Sequence, residues 1–167
     1  MITAIDGRVW KLGDHINTDL IFPGKYLYES QESKILAQHA LEPLIQDFHK
    51  KVSKGDFIVA GDNFGCGSSR EQAATSLKYA GVGAVIARSF GRIFFRNAIT
   101  HGLPAINCPE LVDTVEDGEQ LHLDFSQHLI ILKKKKYRYS PWGEYVTNIL
   151  HSGGLIPYLK NRLSKKT

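Results

Sequence analysis

The chain has 167 residues, 43% of them hydrophobic and 23% charged, with a formal net charge of +4. That length suits one domain, residues 1–167, with a buried core, and the composition excludes long disorder. The two cysteines, Cys66 and Cys108, are too few for a disulfide framework or, alone, for an iron–sulfur cluster, which takes about four thiolates.

Residues 1–10, MITAIDGRVW, carry Asp6 and Arg8 and no apolar run. No signal peptide or membrane span is therefore expected, and a reduced cytoplasmic setting is the default. Residues 2–12 mix β-branched residues with a glycine and read as a short strand or hairpin. The stretch 14–27, DHINTDLIFPGKYL, is a loop that passes from polar to apolar and ends in a Pro-Gly turn. Residues 34–51 place Ile35, Leu36, Leu41, Leu44, Ile45 and Phe48 at spacings that predict one or two short helices broken near Pro43.

The middle of the chain is more regular. FIVA at 57–60 predicts a buried strand, a glycine-rich loop follows, and 71–80 predicts a helix closed by Gly81. AVIA at 84–87 predicts a second strand, 93–101 a helix with Gly102 after it, and 103–107 a third strand. Such alternation with short connections implies a parallel sheet. Right-handed crossovers then put the loops that follow the strands on one edge, where open α/β sheets bind ligands. GDNFGCGSSR, residues 61–70, and ARSFGR, residues 87–92, both belong to that edge. Beyond Pro109 the pattern turns to β, with LHLDF at 121–125 and LIIL at 129–132. The lysines at 133–136, with Arg138, follow that apolar run without a nucleic-acid motif, so they read as a lysine-protected strand edge and not as a nucleic-acid surface. Residues 143–160 read as helix interrupted at Gly153 and Gly154, and a second basic run spans 160–166.

Three readings compete for residues 61–70. Ser68 with Glu71, or Ser69 with Gln72, has the spacing of a capping box that would start the following helix. This accounts for a serine and a glutamate but not for three glycines, a second serine and Arg70. A phosphate cradle needs GxxxxGK followed by Ser or Thr, or GxGxxG, and neither template fits GCGSSR. The third reading is a carboxylate site with a serine doing chemistry. Arg70 offers a planar fork for a carboxylate, and a hydroxyl beside a helix N-terminus lies near unpaired N–H groups that would stabilise its anion. No Gly-x-Ser-x-Gly elbow is present, which argues against an esterase.

GDNFGCGSSREQA, AVIARSFGRIFFRNAITHGLPAIN and the D-x-I-x-T-D-x-I-x-P opening at 14–23 together resemble the swivel domain of the aconitase family, in particular the small subunits of 3-isopropylmalate dehydratases. The match extends over nearly the whole chain, through LHLDF and ILHSGGLIPYL. The resemblance implies a three-layer α/β swivel domain with a mainly parallel sheet core plus extra β-strands. It further implies a separate large subunit that carries a 4Fe–4S cluster, no cofactor or metal on this chain, and a hydroxy-acid substrate. The reaction implied is reversible dehydration and rehydration in leucine biosynthesis. On this sequence, Ser68 would be the base that takes the proton next to a carboxylate, while Ser69 and Arg70 would hold a carboxylate. The segment 24–30 resembles the family's substrate-selecting loop. Lys25 there could touch a carboxylate or be a solvated lysine. Tyr28 stands where homoaconitase-like members tend to have arginine and isopropylmalate enzymes an apolar residue. An uncharged ring favours an alkyl-bearing malate, since a buried distal carboxylate would lack its partner. The alternatives are a related dehydratase acting on homoaconitate, methylmalate or dimethylmalate, or a non-catalytic anion- or nucleotide-binding module.

Other candidates are plainer. Cys66, flanked by glycines, reads as a small packing residue, and the seven histidines show no metal-ligand spacing. Arg88, Arg92 and Arg96 form either a basic stripe at the crevice or a solvated helix face. Asp14, His15 and Asp19 are too few for a hard-cation site and read as loop-bracing or subunit-facing.

Overall fold

The apolar runs at 57–60, 84–87 and 105–107 lie side by side as parallel strands in a computed structural model of the chain, which describes residues 3–29 and 31–164. Ile2, Ser30 of the segment 24–30 expected to select substrate, and Lys165 and Lys166 of the terminal basic run lie outside the described residues. In chain order the elements begin with β1 (Ala4–Lys11), α1 (Thr18–Ile21), a 3-10 turn (Gly24–Tyr26), α2 (Ser33–Gln38) and α3 (Phe48–Lys51). The parallel half follows as β2 (Phe57–Ala60), α4 (Glu71–Ala80), β3 (Ala84–Ala87), α5 (Arg92–Thr100) and β4 (Ala105–Asn107). Next come α6 (Pro109–Thr114), β5 (Gln120–Asp124), β6 (Leu129–Leu132), β7 (Lys135–Arg138), α7 (Glu144–His151) and α8 (Leu155–Ser164).

The seven strands form one sheet in the order β4-β3-β2-β1-β5-β6-β7. Pairing is parallel from β1 to β4 and antiparallel from β1 through β5 and β6 to β7. The expected α/β class, with a parallel core and added strands, is what the chain adopts. The opening segment differs from expectation: β1 is a central strand of eight residues, not a short strand or hairpin. Its signal is blurred because its two halves have different neighbours. Residues 4–8 pair with β5, whereas Val9, Trp10 and Lys11 pair with β2.

Side chains alternate across a strand, and both faces of the parallel half are covered. Ile58, Ala60, Val85, Ala87 and Ala105 pack toward Ala73, Ala74 and Leu77 of α4 and Phe94 and Ala98 of α5. Phe57, Val59, Ala84, Ile86 and Ile106 pack toward α6 and the inner side of β5–β7, where Leu121, Leu123, Ile130 and Tyr137 are buried. Each fully buried large apolar side chain contributes roughly 1.5–3 kcal/mol, so these two cores hold the strand ends rigidly. The lysine run splits between a turn at Lys133 and Lys134 and the exposed positions of β7, which is the outer edge of the sheet. The last helix breaks where expected, at Gly153 and Gly154, both of positive φ. Among the described residues no helix is long and apolar enough to cross a membrane.

One buried carboxylate ties β1 to the turn before β2. Asp56 is 4% exposed and accepts from Trp10 Nε1 at 2.9 Å, the Arg8 amide at 3.1 Å and the Ser53 amide at 2.9 Å. Asp56→Ala strands three donors and is expected to lower unfolding free energy by roughly 3 kcal/mol in urea titration. A loss below about 1 kcal/mol would contradict the bracing role.

Candidate active site

The loops after β2 and β3 meet at the carboxyl edge of the sheet, as their sequence positions predict. The Phe64 amide donates to Ser89 O at 3.0 Å, the Gly91 amide to Phe64 O at 2.8 Å, and the Asn63 amide to Ser89 Oγ at 2.8 Å. Phe64 is fully buried and meets the Phe94 ring edge-on, with centroids 5.1 Å apart. These contacts make the two loops one floor.

The segment 14–27 forms the facing wall. The Gly65 amide donates to Ile16 O at 2.7 Å and the Thr18 amide to Cys66 O at 2.8 Å, so the segments 14–27 and 61–70 are laced together backbone to backbone. This lacing explains two of the glycines. Gly65 has φ +77°, and a Cβ there would lie 2.2 Å from the Phe94 ring. Gly67 has φ +98°, and a Cβ there would sit 3.3 Å from Thr18 Oγ1. Both need a residue without a side chain.

Beyond Gly67 the chain presents Ser68 and Ser69 exposed, then enters α4 with Arg70 at the N-cap. The capping-box reading is overturned. The Glu71 carboxylate instead faces His101 Nε2 at 3.2 Å, Gln72 Nε2 donates to Gln31 Oε1 at 3.4 Å, and Ser68 Oγ lies 3.3 Å from Thr18 Oγ1. With no side chain folded back, the backbone N–H groups of residues 67–72 find no acceptor among the described residues. A helix start with its orphan donors open and the positive end of its dipole behind them is suited to receiving negative charge.

Arg70 lies between the loop and the wall. Its side chain is 15% exposed, and Nη1 donates to Asp19 Oδ1 at 2.5 Å and to Phe22 O at 3.3 Å. Nη2 and Nε have no acceptor among the described residues, so one edge of the fork remains open. The Arg70 guanidinium holds the Asp19 carboxyl below the usual carboxylate range, aided by the Gly24 amide, which donates at 3.0 Å. Asp19 therefore stays ionised at neutral pH and orients Arg70.

The other expected site residues stand apart from this group. Lys25 is exposed, with Nζ 4.7 Å from the Tyr26 ring centroid, and that phenol raises its affinity for its proton. Tyr28 is 96% exposed. Arg88 is engaged by Asp113 and by Asp62 at 3.9 Å, while Arg92 and Arg96 are exposed along α5, so the three do not form one stripe. Asp14 braces the loop through the Asp62 amide at 2.7 Å. Cys66 is partly buried and its carbonyl serves the backbone lacing. Sequence reasoning passed over Thr18, which is 2% exposed with its hydroxyl turned to Ser68. The available signal was its place beside Asp19 in the T-D pair.

Residues 14–111 match the family model described as the Aconitase C-terminal domain. The chain is 48% identical over 158 residues to the 3-isopropylmalate dehydratase small subunit 1 of Thermotoga maritima, covering 93% of this chain and 95% of that protein. It belongs to the 3-isopropylmalate dehydratase small subunit family. The small subunit 1 of Archaeoglobus fulgidus is likewise 48% identical, over 93% of this chain and 96% of its own. The fold superimposes on the crystal structure of a 3-isopropylmalate dehydratase from Methanocaldococcus jannaschii with a TM-score of 0.91. That chain is 44% identical, and the match covers 98% of this chain and 99% of that one. The segments 14–23 and 61–70 meet across the Thr18–Ser68 and Asp19–Arg70 contacts.

Proposed function

We infer that this chain is the small subunit of a cytoplasmic hydro-lyase that interconverts 2-isopropylmalate and 3-isopropylmalate by dehydration and rehydration in leucine biosynthesis, paired with a large subunit. The observation that carries the reading is the exposed Ser68-Ser69 pair beside the half-buried Arg70, backed by open amides and by the Asp19 carboxylate that orients the arginine. A substrate carboxylate binds the free Nη2–Nε edge of Arg70 and the Ser69 hydroxyl, which places the neighbouring carbon toward Ser68 Oγ. Ser68 takes the proton from that carbon as a general base and returns it to the other carbon during rehydration. A serine hydroxyl is a poor base in water. The N–H groups at 67–72, the dipole of α4 and the Arg70 charge lower the cost of its anion, more so once a large subunit closes the edge and excludes water.

Thr18 is a positioning residue, its buried hydroxyl fixing Ser68 Oγ from behind. Thr18→Val keeps the shape and removes that contact. It is expected to lower kcat about tenfold with KM little changed, and Thr18→Ser to restore it. Steady-state kinetics of the two variants check this, and an unaffected valine variant would contradict it.

The 4Fe–4S cluster belongs to the large subunit, where it acts as the Lewis acid of the reaction. The residues of this chain do not fit one. Cys66 lies in the loop, Cys108 is buried at the start of α6, and among the described residues no three His, Cys, Asp or Glu side chains converge. Tyr28, uncharged and exposed, supplies no partner for a third carboxylate, which favours the alkyl-bearing malate over homoaconitate. Anaerobic reconstitution with the large subunit tests the whole reading. The pair is expected to interconvert the two isopropylmalates and the lone chain to be inactive. A complex that prefers tricarboxylates would contradict the substrate assignment.

A further inference from the structure

A cavity of about 500 Å³ opens at the opposite edge of the sheet from Ser68, where the parallel strands begin. Its origin is the register of β1. The first parallel pair is Val9 with Phe57, so Ala4, Ile5 and Asp6 overhang β2 and are paired only on the β5 side. The turns before β2, β3 and β4 form part of the lining, through Gly55, Gly83 and Pro104. The apolar lining comes from Ile5, Val82, Phe125, Trp142 and Leu150. A volume of this order is that of a small-molecule site.

The charges around the cavity are unbalanced. Two lysines, Lys54 and Lys78, line it with His128 and His151 as further polar groups, against a single carboxylate, Asp6. The Asp6 carboxylate is already bonded to His122 Nδ1 at 2.8 Å. Neither Lys54 nor Lys78, nor His128 or His151, has a carboxylate partner among the described residues. Lys78 is partly buried in the last turn of α4, and its Nζ donates to His101 O and, at 2.7 Å, to Gly153 O. Those carbonyls end α5 and follow α7, so Lys78 offsets the negative helix ends that would otherwise attract a cation. Desolvation makes its positive charge costly, lowering the affinity of Lys78 for its proton. An ammonium in this position is stabilised by an incoming anion.

We propose that this cavity binds a small monocarboxylic acid with an apolar tail, the carboxylate between Lys54 and Lys78 and the tail against Phe125, Trp142 and Leu150. The site shares no residue with the Ser68 loop: α4, ten residues or roughly 15 Å long, has Arg70 at one end and Lys78 near the other. The inference therefore does not depend on the catalytic reading. Trp142 reports on it directly. The full chain is titrated with hexanoate, hexylamine and hexanol while tryptophan emission is followed, with Trp142→Phe subtracting the contribution of Trp10. Hexanoate is expected to saturate with a millimolar Kd, and the amine and alcohol to bind at least about tenfold more weakly. Lys54→Ala, an exposed change that leaves the fold intact, is expected to weaken hexanoate by about threefold or more, and Lys78→Met by more than that. Binding of hexylamine as tight as hexanoate, no saturation by about 20 mM hexanoate, or an unchanged Kd in Lys54→Ala would each overturn the proposal.

Discussion

Ser68→Ala in the reconstituted enzyme is expected to lower kcat by about 10²- to 10⁴-fold, the range over which removal of a positioned general base acts. The structural effect should be small. Ser68 is exposed and, among the described residues, its hydroxyl makes one hydrogen bond, with Thr18 at 3.3 Å, so thermal stability should change by no more than about 0.5 kcal/mol. Assembly with the large subunit and KM should also be nearly unchanged, because Ser69, Arg70 and the open amides still receive the carboxylate. A large fall in kcat without a fall in stability separates chemistry from folding. A variant within tenfold of the parent would remove Ser68 from the role of base.

Arg70→Lys is expected to lower kcat/KM by about 10²- to 10³-fold, through a higher KM and a lower kcat together. The reason lies in how the fork is divided. Nη1 is committed to Asp19 Oδ1 and Phe22 O, and the Nη2–Nε edge, without an acceptor among the described residues, is the part proposed to take the substrate carboxylate. A lysine ammonium has one centre, so it can satisfy Asp19 or a substrate carboxylate but cannot present a planar edge to one while braced by the other. Misplacement of the substrate by even about 1 Å is costly in rate, so kcat falls with binding. Steady-state kinetics on the reconstituted pair check this, and an unchanged kcat/KM would take Arg70 out of the site.

Much of this arrangement is legible in the sequence because its strands are short, apolar and fully buried. FIVA and AVIA form strands of the expected bounds, and Gly81 in the left-handed region ends α4 as a C-cap should. Strand–helix alternation then puts the two glycine-bearing loops on one edge, which the Phe64–Phe90 bridge realises. What escapes is whatever depends on long-range partners. β1 reads poorly because its halves have different neighbours, and Asp56 looks like a turn residue until Trp10 and Arg8 are folded over it. The spacing of Ser68 and Glu71 fits a capping box, yet His101 draws the glutamate away, and no local rule predicts a partner thirty residues distant. Thr18 and Asp19 belong to a recognisable motif, but their functions follow only from the contacts with Ser68 and Arg70. Lys25 and Tyr28 are exposed and remain apart from that group in the single chain.

The central claim is that the Ser68 oxygen breaks the carbon–hydrogen bond beside the bound carboxylate. Its most direct test is a single turnover of 3-isopropylmalate by the reconstituted pair, with the unsaturated product followed by its ultraviolet absorbance. The enzyme carrying Ser68→Ala, shown beforehand to bind substrate, should form that alkene at least about a hundredfold more slowly than the parent. Alkene appearing in the variant at a rate within tenfold of the parent would contradict the assignment.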